Sequence, residues 1–230
     1  MSSLLNKGNY KPINQDFLIE GHMVLEEVAD VQEKWGKGDT DTFINELRDS
    51  MAGYYLGYDL VNIEKHGFDC KKNENEDIFL EVKSASFAAS TWGATFNDTT
   101  IEKAQCFQSD KVYLCLAVWK NASNLLFLVY GQNKRIGEFL EEKVNRFLSG
   151  NGGVRSTQTI SMSQLIFDYG FDIICVNKTK EEVKSILRLK SRQFFSIPDN
   201  RFLSLYEYGE KYGVDAREMK TYDINDVKNK

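Results

Sequence analysis

Residues 111–119, KVYLCLAVW, and 124–132, NLLFLVYGQ, are two almost unbroken apolar runs separated only by Lys120 to Ser123. Runs rich in Val, Leu and aromatics are strands, and a linker this short makes them a hairpin. Because they do not alternate apolar with polar residues, both of their faces need cover. The chain must therefore build a central sheet and lay helices on it.

The rest of the sequence supplies those helices. Residues 16–35 and 41–58 carry apolar residues at helical spacing: Val24, Val28, Val31 and Trp35 in the first, Phe43, Leu47, Met51 and Tyr54 in the second. Further helices are expected at 134–148, 161–168, 179–195, 201–212 and 215–222, the last two separated at Gly213. A helix is expected to start at Thr99, with Glu102 completing a capping box. YDLVNI, GFDCKK, DIFLEVKSA and FDIICVN read as strands, whereas 84–100 shows no clear period. The expected fold is α/β (α+β), a central mixed β-sheet flanked by helices, with C-terminal helices. Residues 1–200 would form the main domain and 201–230 a helical extension packed on it, or 1–230 a single domain.

No apolar run approaches the roughly 20 residues of a membrane helix, and the first residues lack a signal-peptide core. The four cysteines form no C-x-x-C pair and read as reduced core thiols. Two isolated histidines, His22 and His66, give no zinc pattern. No glycine-rich phosphate loop and no Ser-His-Asp or Cys-His arrangement stands out. The expectation is a cytoplasmic protein without a membrane segment or nucleotide cofactor.

Chemistry concentrates in GFDCKKNENEDIFLEVKSASF, residues 67–87. Glu-x-Lys occurs four times in the chain, but only Glu81/Lys83 lies in a strand, where residues i and i+2 share a face. A five-residue loop, Asn73 to Asp77, pairs Lys72 with Ile78, Lys71 with Phe79, Cys70 with Leu80, and so Asp69 with Glu81. Two carboxylates facing each other across a strand pair repel. A positive group should lie between them: Lys83, or a hard divalent cation such as Mg²⁺, which takes oxygen ligands and few carboxylates. The bland alternative is a solvated hairpin with its acid pair neutralised by Lys83 and Lys71.

Asp69, an eleven-residue gap, and Glu81-Val82-Lys83 after an apolar strand resemble the PD-(D/E)xK nuclease superfamily, which includes most type II restriction endonucleases. Phe68 stands where the motif has proline. The resemblance implies a restriction-endonuclease-like core and hydrolysis of double-stranded DNA with Mg²⁺. It makes Asp69 and Glu81, with Val82 between, the metal set, and Lys83 the lysine that positions or activates water. It also implies an acid on the preceding helix, for which Glu46 is the match by position. Metal-assisted hydrolysis needs no nucleophilic side chain.

Net charge is −5, which counts mildly against nucleic acid as a partner, so local basic groups matter. Lys180, Lys184, Arg188 and Arg192 recur every four residues as a candidate phosphate-binding stripe. Asn97, Thr99 and Lys103 follow the proposed catalytic strand, and Arg155 lies in a polar loop, 149–159. A homodimer would suit cutting both strands of a palindrome. The alternatives are a structure-selective or repair nuclease, or a non-catalytic DNA-binding protein using a helix-turn-helix near 205–222.

Overall fold

The structure, a computed structural model, describes residues 9–35, 42–62, 67–97, 99–150 and 157–218. Its centre is the expected hairpin. β6 (Val112–Trp119) and β7 (Leu125–Gly131) pair antiparallel, closed by Lys120 N–H donating to Asn124 O at 2.8 Å. Both strands are buried on both faces. They sit in an eight-stranded mixed sheet of order β1-β2-β3-β4-β6-β7-β9-β10. The remaining strands of this sheet are β1 (Asn9–Lys11), β2 (Asp59–Asn62), β3 (Cys70–Lys71), β4 (Phe79–Ser86), β9 (Asp172–Cys175) and β10 (Phe202–Ser204). The β4–β6 and β9–β10 pairings are parallel and the others antiparallel.

Residue parity sorts β6 between two cores. Val112, Leu114, Leu116 and Val118 point to one, with Ile136 and Leu140 of α4 (Arg135–Leu148) and Val183 and Leu187 of α5 (Lys180–Lys190). Cys115, Ala117 and Trp119 point to the other, with α1 (Gln15–Trp35) and α2 (Thr42–Tyr55). Such alternation is the strand period acting in a sheet covered on both sides. All four cysteines are buried and free.

Several local expectations are corrected. On α1 the buried residues are Leu18, Leu25 and Ala29, and Val24 is 44% exposed. Leucines bury more apolar area than valines, so the helix rolls to put them inward. The side chains of Val31, Trp35 and Phe43 lie outside the described residues. The stretch expected to lack a period holds a strand, β5 (Gly93–Phe96), paired with β8 (Gln158–Ser161) as a separate two-stranded ribbon. Its alternation is short: Ala94, Phe96 and Ile160 face in, while Thr95 and Thr159 are exposed. The helix expected at 161–168 is a single π-helical turn, Gln164–Asp168.

The helix after β5, α3 (Ile101–Cys106), is capped by Thr100, whose hydroxyl accepts from Lys103 N–H at 3.1 Å. Thr99 is buried instead. The expected helix 179–195 divides at Ser191, whose hydroxyl caps a following 3₁₀ turn, Arg192–Ser196.

The C-terminal region contributes β10 to the main sheet, and α6 (Leu205–Tyr212) sends Tyr208 into the core. A capping box of Ser204 and Glu207 starts α6, and Gly213, at φ 62°, ends it. Residues 214–218 do not form the second helix expected there. Arg217 instead binds Asp59 at 2.9 Å, and its N–H donates to Tyr55 O. These long-range bonds tie the segment to α2 and β2, and residues 215–218 of the expected second helix are not helical. Lys220 lies outside the described residues.

Candidate functional site

The hairpin around residues 69–83 has the register expected of it. Cys70 pairs with Leu80 and Lys71 with Phe79, and Lys72 N–H donates to Ile78 O at 2.8 Å. The loop is held locally: Asn73 Oδ1 accepts from the backbone of Asn75 and Glu76. Asp69 lies immediately before β3, where the paired register ends. Its Oδ2 accepts from Val82 N–H at 2.7 Å, which fixes the carboxylate against β4.

Glu81 is 1% exposed, in the centre of the sheet where β4 runs beside β6. Burying a carboxylate there requires charge partners. Two are present on a single oxygen: Lys83 Nζ at 2.5 Å and Lys103 Nζ at 2.8 Å from Oε1. Lys103 also donates to Gly67 O at 3.0 Å. Phe96 and Phe68 lie beside the two ammoniums, at 5.7 and 5.4 Å. The other oxygen, Oε2, is buried and has no hydrogen-bond partner.

A third acid reaches the site from α2. Asp49 Oδ1 accepts from Ser84 Oγ at 3.0 Å, and the group interacts electrostatically with Asp69, Lys83 and Glu81. It lies one turn beyond Glu46, whose side chain is outside the described residues. Sequence reading missed Asp49 because Glu-x-Lys spacing says nothing about helix phase. The available signal was the polar triplet Arg48-Asp49-Ser50 on an otherwise amphipathic helix. Arg48 and Ser50 are buried, and Arg48 Nε donates to Ala122 O at 2.9 Å.

The electrostatics are those of crowded like charges. Burial, and then the Glu81 charge, push the Asp69 carboxyl up to about 6. Burial, followed by Asp69, pushes Asp49 well above the ordinary carboxyl value. Burial alone would raise Glu81 too, but Lys103 and Lys83 overcome it and hold Glu81 below its usual value. For Lys83, burial opposes the charge, yet Glu81 and Asp69 raise it well above an ordinary lysine. Three acids thus share two lysines, and the site can accept further positive charge.

The chemistry of these donors suits a hard divalent cation. Such an ion takes oxygens and typically one or two carboxylates, completing its sphere with water and substrate phosphate. Asp69 and Glu81 supply two carboxylates, and Glu81 Oε2 is a buried acceptor lacking a donor. Among the described residues no group of three or more His, Cys, Asp or Glu forms a ready-made metal cage.

The proposed DNA contacts are scattered. Lys180 is paired with Glu207 at 2.6 Å, and Lys184 with Glu181 and Asp199 at 2.7 and 2.9 Å. Those lysines meet acids rather than an open face, so the stripe keeps only Arg188 and Arg192 exposed. Arg188 stacks over Phe195 at 5.2 Å, and Arg192 lies beyond the end of α5. Asn97 is exposed at the end of β5. Lys103 turns inward to the acid site, and Arg155 lies outside the described residues.

No helix among the described residues is long and apolar enough to cross a membrane. No protein-family model matches the chain, and no curated protein matches it.

Proposed function

We propose that this protein is a Mg²⁺-dependent endonuclease of the PD-(D/E)xK kind, hydrolysing double-stranded DNA as a type II restriction enzyme does. The observation that carries the reading is the buried, unpartnered Oε2 of Glu81, a residue whose charge acts on the nearby Asp69 carboxyl. An acid pair serving only as structure would gain by having both members satisfied. The order of helix, hairpin, parallel strand and covering helices around that pair supports a restriction-endonuclease-like core.

In this reading Asp69, Glu81 and the Val82 carbonyl would hold the cation, with Asp49 as the acid from the preceding helix. The cation supplies charge stabilisation on the phosphate oxygens and the leaving oxygen. Lys83, kept charged by its acid neighbours, orients the attacking water and faces the scissile phosphate. Asp69 is fixed by Val82 N–H, so the two carboxylates are positioned before substrate arrives. Arg188, Arg192 and Asn97 are exposed and available to the phosphodiester backbone. Cutting both strands calls for two copies of the chain arranged with twofold symmetry.

The test is single-turnover cleavage of bound phage DNA. Cleavage should need Mg²⁺ and stop in EDTA. Asp69→Ala and Glu81→Ala should each lower the rate by about 10²–10³-fold, the scale of losing a principal electrostatic group. Lys83→Ala should lower it comparably while Mn²⁺ still binds. Full activity of Glu81→Ala, or cleavage in EDTA, ends the reading.

A further inference from the structure

Lys103 is the group in the site that the nuclease motif does not require. It comes from α3, twenty-two residues beyond Glu81 in the chain, and its ammonium binds two things at once. One is Glu81 Oε1 at 2.8 Å and the other is the carbonyl of Gly67 at 3.0 Å, two residues before Asp69. It therefore clips together the two segments that carry the acid pair. It shares its oxygen with Lys83 Nζ, at 2.5 Å, so two like charges converge on one atom while Oε2 has none.

Resting on the metal-dependent reading above, we propose that Lys103 is a built-in competitor for the divalent cation. Its ammonium holds Glu81 in the metal-free protein, is displaced when the cation binds, and is then free to face the substrate phosphate. The cation would bring two further positive charges beside two ammoniums already in contact with one carboxylate. Both ammoniums act on Asp69, but only Lys83 is also among the charges acting on Asp49, and Lys103 stands further from Glu81 Oε1, at 2.8 against 2.5 Å. Lys103 retains an alternative in the neutral Gly67 carbonyl. Lys103 is thus the ammonium that leaves at lower cost. No covalent bond is made or broken; the Lys103–Glu81 contact is lost and the cation takes its place at Glu81.

The exchange predicts an effect opposite in sign to that of a simple structural clip. Lys103→Met removes a competing charge, so Mn²⁺, measured by the electron paramagnetic resonance of the free ion, should bind roughly tenfold more tightly. That is the order by which one neighbouring charge shifts equilibria at a carboxylate. Lys103→Arg keeps the charge and should stay near wild-type affinity. In the unmodified protein, acetylation of Lys103 by acetic anhydride, read by mass spectrometry, should speed up several-fold on adding Mg²⁺. Weaker or unchanged Mn²⁺ binding by Lys103→Met, with wild type binding normally, overturns the proposal and leaves the nuclease reading standing. Unchanged Lys103 labelling at saturating Mg²⁺ overturns it too, and does so even if Lys103→Met fails to fold. Absence of any saturable Mn²⁺ binding by wild type removes the metal-dependent reading itself, and this proposal with it.

Discussion

Two carboxylates lie buried in the same sheet, each beside two cations, and they are treated in opposite ways. Asp172, on β9, is fully buried and has both oxygens occupied: Arg201 reaches Oδ1 at 3.4 Å, and Lys211 and the Tyr212 hydroxyl reach Oδ2 at 2.5 and 2.6 Å. Those three partners come from 201–212, so the ionic group fastens the C-terminal region onto the sheet. Tyr212 also packs edge-on to Tyr130 and Tyr113, continuing that fastening into a tyrosine cluster. Glu81, on β4, has one oxygen doubly occupied and one empty, with Asp69 and Asp49 close enough to perturb one another. A buried charge with all its partners is costly to break, whereas an unsaturated one among like charges costs stability as it stands and marks a candidate binding site. The difference separates latch from site more sharply than burial does, since both carboxylates are buried.

The largest effect should come from removing both cations at Asp172. The double substitution Arg201→Met, Lys211→Met strands a buried carboxylate and should cost about 3–5 kcal/mol, read as a drop in the urea midpoint. A loss below about 1 kcal/mol would mean that Asp172 is not the latch described.

Asp69→Asn should do the reverse. The Asp69 carboxyl is raised to about 6 in the folded protein by burial and then by Glu81, so the folded state binds its proton more tightly than the unfolded chain. Its ionisation therefore destabilises the metal-free protein increasingly as pH rises from about 4 to about 6, and fully above that. Asn keeps an oxygen for Val82 N–H but removes the charge. The variant should be about 3 kcal/mol more stable than wild type at pH 7.5 in EDTA, an advantage that fades toward pH 4. Destabilisation at pH 7.5 would place Asp69 with Asp172, as a structural acid.

The smallest effect is expected for Tyr212→Phe. It removes one of three donors to Asp172 and leaves both cations, so about 1 kcal/mol should be lost, with no change in Mn²⁺ binding. A change in metal binding would mean that the two carboxylates are coupled across the sheet rather than independent.

Only the Glu81 side of this comparison was partly readable before the fold was known. The register from Lys72 to Glu81 follows from a five-residue polar loop between two short apolar runs, and Glu81 and Lys83 share a face because a strand has period two. The central hairpin was equally plain. The buried face of α1 was not, because its leucine and valine stripes lie side by side at the same helical spacing. The β5–β8 ribbon was missed because GATF and QTIS are short and rich in small residues. Residues 215–222 read as helix from local pattern, but 215–218 are not helical, and Asp59 and Tyr55 hold Arg217 from far along the chain.

The sequence by itself determined the strands at 112–119 and 125–131, the hairpin register, and the common face of Glu81 and Lys83. Each depends on neighbours within a few residues or on a tight turn, where geometry leaves few alternatives. Only the tertiary structure decided that Asp49 joins the acids. It also decided that Lys103 shares Glu81 with Lys83, and that Asp172 is saturated while Glu81 is not. Those outcomes depend on where helices settle against a sheet and on which distant side chains meet in the interior. A buried charge takes whichever partners packing brings within about 3 Å, and local periodicity carries no record of them.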